Sequence, residues 1–308
     1  MDIKKINIDL IENCQNIARN KLENMWSKKQ VKKIEKKDLI LSYFNAIGRV
    51  FIRKKPRELK LSDVFRVRDD LKEGWKFLKE KILSGDDLMP HLSRQHNKIK
   101  NRDGLLEEWN VHHLHLGTTY EKNGLITRTK ALVFAVITDE KFHAINIYMH
   151  DGWADKEVVI IIDNNWPELH EQFIFNLEND DNITDGQRIA LRKKRHNSFV
   201  KIGENRFLTG AISASGHQIT SVMLSDIFQS RIIEAEKEII KNCSEIIYEI
   251  CSSMQIKIDP SVSELTILLK SFDADDEKII LYIPEIDCGF SFYYEHGKAE
   301  NYMALFED

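Results

Sequence analysis

Val111-His112-His113-Leu114-His115-Leu116-Gly117 is the stretch on which the reading of this chain turns. In an extended strand successive side chains point to opposite faces, so His113 and His115 share one face, backed by Leu114 and Leu116. That pattern lays a polar row on an apolar floor. The stretch also opens a histidine-rich window, because His112, His113, His115, His143 and His150 are five of the chain's eleven histidines. Imidazole takes and gives a proton near neutrality, and it is the commonest neutral metal ligand.

Working outward, Ala131–Ile137 and Phe142–Met149 are apolar runs that read as strands. Thr138-Asp139-Glu140-Lys141 lies between them and has the length of a hairpin loop. Leu105–Trp109 fits a short helical turn, and Lys156–Ile162 fits a helix or a strand equally well. Residues 7–27 and 37–54 carry apolar side chains at helical spacing. A third helix is expected from an N-cap at Ser62 to Leu83, stopped by Gly85. Further on, a helix is expected over Pro167–Phe175 and a hairpin over Phe199–Leu208, turning at Gly203-Glu204-Asn205. Residues 218–254 give the longest helical pattern, and Leu265–Leu269, Lys278–Ile283 and Gly289–Tyr294 read as strands. The class expected is α+β: a helical N-terminal region, a small central antiparallel sheet, then a long helix with additional strands. Divisions are expected as a basic helical region 1–90, a histidine-rich core 91–175 and a C-terminal part 176–308.

The net charge of −4 conceals an asymmetry. Residues 1–60 hold 16 Lys/Arg against 7 Asp/Glu, while the last 58 residues hold 4 against 12. A basic end of this kind suits phosphate. The densest basic runs of the whole chain are Arg53-Lys54-Lys55-Pro56-Arg57 and Arg192-Lys193-Lys194-Arg195, and Arg94 sits in a polar loop just before the histidine stretch. These are the candidate nucleic-acid contacts. No run of about 18 apolar residues is present, so no membrane span is expected. Four scattered cysteines make no Cys-x-x-Cys, which is the usage of a reducing, cytoplasmic compartment. Gly-x-Ser-x-Gly, Gly-x-Gly-x-x-Gly and P-loop sequences are absent, which argues against a hydrolase elbow or an ordinary nucleotide cofactor.

Cleavage of RNA without a metal needs a base for the ribose 2′-hydroxyl, an acid for the leaving 5′-oxygen, and cations beside the phosphorane. Residues 111–150 hold all three kinds of group. His113 and His115 are the candidates for acid/base work, Arg128 and Lys130 for the phosphorane, and Tyr148 and His150 for assistance.

His113-Leu114-His115-Leu116-Gly117, Thr127-Arg128-Thr129-Lys130, Leu132–Val136, a short turn and Ala144–His150 together resemble the central sheet of RelE/HigB-type toxins. The resemblance spans about 50 of the 308 residues, roughly 105–155. It implies a compact, metal-independent ribonuclease of toxin or phage-defence type, with RNA as partner and an antitoxin or other inhibitory protein as a second. Two alternatives stand beside it. The same basic surface could serve a non-enzymatic module binding nucleic acid or protein. His113 and His115, completed by His150 and Asp151, could instead hold Zn²⁺ in a hydrolase.

Overall fold

The computed structural model of the protein describes residues 5–50, 52–93, 103–149, 156–169, 183–184, 186–187, 190–191, 194, 196–202, 205–208, 213, 217–259, 261–272, 278–294 and 298–303. The strands are β1 (Lys5–Ile8), β2 (Glu58–Leu61), β3 (Val111–His115), β4 (Ala131–Ile137), β5 (Lys141–Met149), β6 (Phe199–Ile202), β7 (Asn205–Leu208), β8 (Glu264–Phe272), β9 (Lys278–Ile283), β10 (Cys288–Tyr293) and β11 (Lys298–Met303). The α-helices are α1 (Leu10–Met25), α2 (Lys28–Val31), α3 (Leu39–Val50), α4 (Lys72–Ser84), α5 (Gly104–Trp109), α6 (Lys156–Asn165) and α7 (Ile219–Met254). The class is α+β, with two small mixed sheets and a long C-terminal helix. No helix among the described residues is long and apolar enough to cross a membrane.

The chain forms two compact units, Met1–Phe44 with Ser221–Asp308, and Asn45–Thr220. This differs from the expected divisions at 90 and 176. The reason is a parallel pairing of β1 with β8, which ties Lys5–Ile8 to Glu264–Ile267 across most of the sequence. The first unit has the sheet order β1-β8-β9-β10-β11. Asp9 starts α1 by accepting the Glu12 N–H at 2.7 Å. Leu10, Cys14, Ala18 and Leu22 then recur every four residues and form its buried face. Burial pushes the Cys14 thiol up to about 12, so it stays protonated. Along α7 the buried side is Phe228, Ile232, Ala235, Ile239, Cys243, Ile246 and Ile250, again at helical spacing.

The second unit carries the histidine stretch. Its sheet order is β2-β5-β4-β3, with β3, β4 and β5 antiparallel as the hairpin signal predicts. The sheet is not purely antiparallel, because β2 joins β5 in parallel, Lys60 lying opposite His143. That strand displaces the helix expected from Ser62. The Ser62 hydroxyl donates to the Ile145 carbonyl at 2.6 Å instead of capping, and α4 begins ten residues later. Gly85 does end α4 as expected, in the left-handed region with φ +83°. Lys156–Asn165 is helical, while Pro167–Leu169 is a single 3₁₀ turn; the rest of Pro167–Phe175 lies outside the described residues.

Both faces of this sheet are covered. On one, Leu132, Phe134, Val136 and Ile145 pack with Trp109, α6 residues Val158, Val159, Ile161 and Ile162, and hairpin residues Val200 and Phe207. On the other, Leu114, Leu116, Val133, Ala135, Phe142 and Ala144 pack with Phe65 and with Leu78 and Ile82 of α4. Helix α4 approaches so closely that a Cβ on Gly74 would fall 1.9 Å from the Leu116 carbonyl oxygen. Gly74→Ala is therefore expected to destabilise the unit by about 3 kcal/mol, the upper part of the overpacking range. Gly124, at φ +79° with nothing within 4 Å of an added Cβ, bears strain alone. Gly124→Ala should cost about 1 kcal/mol. Denaturant melts of the two variants test that order.

Candidate active site

Cross-strand register sets which side chains share a face. His115 lies opposite Leu132, and Leu132 opposite Tyr148; His113 lies opposite Phe134, and Phe134 opposite Asn146. His113, His115, Phe134 and Tyr148 are thus on one face, as the strand alternation predicts. The cover thins toward one end of the sheet. Strand β5 is buried from Phe142 to Ile145 and then emerges, until Met149 is 52% exposed. Arg128 and Lys130 are exposed at the same end, just before β4.

His113 is held by a residue that the sequence reading passed over. Asp103 Oδ1 accepts the backbone N–H groups of Leu105 and Leu106, both at 3.2 Å, and so caps α5. Its Oδ2 lies 3.3 Å from His113 Nδ1. A carboxylate oxygen beside Nδ1 is the arrangement that favours a proton on that nitrogen and leaves Nε2 as the acceptor. Asn110, at φ +54°, ends α5 and turns the chain directly into β3, which brings the cap beside the strand. The signal was present as an Asp immediately before a short apolar helix. The His113 ring packs 6.4 Å from the Phe134 ring and the Tyr148 ring 4.9 Å from it, so Phe134 serves as a shared platform. His113 keeps 15% of its side chain exposed.

His115 differs, and the expected sharing of acid/base work with His113 is corrected by its depth. Its residue exposure is 1%, and its Nδ1 accepts the Thr129 backbone N–H at 3.2 Å. The Thr129 hydroxyl donates to Ala131 O at 2.6 Å and accepts the Leu116 N–H at 3.0 Å, closing the junction of β3 with β4. His115 is part of that joint. Arg128 and Lys130 flank Thr129 on the exposed side. His150 and Asp151 lie outside the described residues, as do Arg94, Arg192, Lys193 and Arg195. Lys194 is exposed. Among the described residues no group of three or more His, Cys, Asp or Glu could hold a metal ion.

The run Arg53-Lys54-Lys55-Pro56-Arg57 also needs correction as a phosphate grip. Arg53 lies 3.8 Å from Asp139, Lys54 3.1 Å from Asp87, and Lys55 2.7 Å from Glu140. Arg57 is 5% exposed and donates to the carbonyls of Thr138, Arg53 and Lys55. Burial lowers its pKa, with Asp139 and Glu140 opposing. This run fastens the β4–β5 turn to the start of β2, and its charge is already met by neighbouring carboxylates.

No family model, curated protein or solved structure matches the chain.

Three further histidines of this unit, His91, His112 and His143, are buried. His91 donates from Nδ1 to the His115 carbonyl at 2.7 Å, and burial pulls its pKa down to about 4. Burial likewise brings His112 to about 4, against an upward pull from Asp103. His143, edge-on to Trp166 at 4.8 Å, is also lowered by burial. Between the ordinary value of about 6.5 and about 4, the unfolded chain binds more protons than the folded one. Stability is therefore complete above about pH 6.5 and declines as pH falls toward 4. The thermal midpoint should drop between about pH 6.5 and 5, where most carboxylates are still ionised. His112→Gln should flatten that drop. A midpoint constant over the window in the native protein would show that these imidazoles are not held neutral.

Proposed function

We propose that this chain is a metal-independent ribonuclease in which His113, oriented by Asp103, is the general base. The observation that carries the reading is the Asp103–His113 pair: one carboxylate oxygen is fixed by a helix cap and the other is directed at the imidazole. This fixes ring orientation and tautomer, which a base needs before it can work. His113 Nε2 takes the proton of a ribose 2′-hydroxyl, and the freed oxygen attacks the adjacent phosphorus. The bond from phosphorus to the 5′-oxygen breaks, leaving a 2′,3′-cyclic phosphate. Water protonates the departing 5′-oxygen, since the Tyr148 hydroxyl on the same Phe134 platform is as closed to solvent as the His115 ring. Arg128 and Lys130 offset the phosphorane charge. The resemblance to RelE/HigB-type toxins adds a setting, that of a toxin or phage-defence effector restrained by an inhibitory protein.

A second reading is a nucleic-acid-binding module without chemistry. The depth of His115 favours it, since that burial takes one of the two expected acid/base groups away from any ligand.

One pair of variants separates the readings. Asn caps a helix as well as Asp does, so Asp103→Asn keeps the α5 start while removing the charge beside His113. The protein is expected to cleave single-stranded RNA in EDTA and leave cyclic phosphate ends. Asp103→Asn should lower kcat/KM by about 100-fold with an unchanged circular dichroism spectrum, and His113→Gln by at least as much. RNA binding without cleavage by the native protein would establish the second reading. Cleavage that EDTA removes and Zn²⁺ restores would make the enzyme metal-dependent.

A further inference from the structure

We propose that Tyr120, backed by Lys81 and Phe77, is a base-stacking platform for single-stranded RNA, flanked by phosphate contacts from Lys122, Arg128 and Lys130. The proposal rests on the ribonuclease reading for its choice of RNA, and names the form of RNA that the site takes. Tyr120 is 54% exposed, yet it is held in place. It forms an isolated β-bridge with Ile126. The Lys81 ammonium lies 5.6 Å from its ring centroid and 5.3 Å from that of Phe77, tying the loop to α4. An ammonium over the ring engages it through the cation–π attraction and immobilises it. A large aromatic surface held still in water is what a nucleobase can stack on with little ordering entropy.

The loop carrying Tyr120 is also built to stay in one shape. The Glu121 N–H donates to Leu125 O at 2.7 Å and the Thr127 N–H to Thr119 O at 2.9 Å. The Thr119 and Thr127 hydroxyls meet at 2.7 Å, and the Ile126 N–H donates to Pro90 O at 2.8 Å. Leu125 and Ile126 are buried beneath, at 7% and 1% exposure. Their burial anchors the loop from within, while Tyr120, Lys122, Arg128 and Lys130 are all exposed. Glu121 is the one acidic residue from Thr118 to Lys130, against three cations, so this segment carries net positive charge. Arg128 and Lys130 also border the junction at His115, so a strand stacked on Tyr120 and running along these cations is led to the end of the sheet where β5 emerges. A duplex offers no unstacked base to the ring, whereas a single strand does.

The experiment measures fluorescence anisotropy of the full chain with a short 2′-O-methylated RNA, which cannot be cleaved, as single strand and as duplex. The single strand should bind more tightly. Tyr120→Ala should weaken binding about tenfold, and Tyr120→Trp should restore it because a stacking plane returns. Lys122→Ala and Lys130→Ala should each reduce the slope of log affinity against log salt by about 0.7. Equal affinity of Tyr120→Ala and the native chain would overturn the proposal. So would equal binding of duplex and single strand, or equally strong competition by polyglutamate, since charge alone would then account for capture. Because the probe has no reactive 2′-hydroxyl, these outcomes do not depend on catalysis. Binding as described without cleavage of unmodified RNA would leave the platform standing and remove the nuclease reading.

Discussion

The sheet β2-β5-β4-β3 is covered on both faces, and the dehydration this imposes governs the titratable groups buried on it and against it. A buried imidazole resists protonation because its charged form loses water that apolar neighbours cannot replace. Hence His91 and His112 are held at about 4, and His143 is lowered too. The same constraint explains Arg57, a guanidinium that cannot shed its charge and instead spreads it over three carbonyl oxygens. The sheet tolerates polar side chains where each has a neutral form or a set of backbone acceptors. His113 departs from this arrangement, keeping some exposure and a carboxylate partner at once.

What the sequence made legible follows from how strongly each element is patterned. Strand β4 has the bounds expected from its run because all seven residues are apolar and sheet cover on both faces requires that. Residues 219–254 were equally plain, since an amphipathic pattern over 36 residues leaves no competing period. Strands β1 and β2 were not legible. Each has four residues, alternating charged or polar with aliphatic, and each pairs with a strand far along the chain. Such a segment becomes a strand through its neighbour, which no local window contains. Ser62 shows the same limit from the other side: a good capping residue was claimed by a carbonyl from β5.

The candidate site was legible by face and illegible by depth. Alternation placed His113 and His115 together correctly, because the period of a strand is a property of the backbone. It could not tell that Thr129 closes over one of them, since Thr129 returns after a loop whose path depends on buried Leu125 and Ile126. The basic run at Arg53–Arg57 failed for a related reason. Its counter-charges, Asp139 and Glu140, sit in a hairpin turn some eighty residues later. A run of cations in sequence therefore reports charge density along the chain, whereas ligand binding depends on charge left over after folding.

That distinction bears on where chemistry can reside in this unit. Cations beside the β4–β5 turn are matched by carboxylates, while the segment from Thr118 to Lys130 holds three cations and one acidic residue, Glu121, along the chain. The two ends of the same sheet consequently differ in character. One is sealed by mutual neutralisation and holds the strands together. The other combines an exposed aromatic ring with exposed cations, and His113 with its Asp103 partner lies further into the sheet, opposite Phe134. An anionic ligand gains from meeting charge that the fold has not already used, and loses from displacing an existing ion pair. On that ground the more basic N-terminal run, with Arg53, Lys54 and Lys55 already in ion pairs, is a poor place for a phosphate chain to settle.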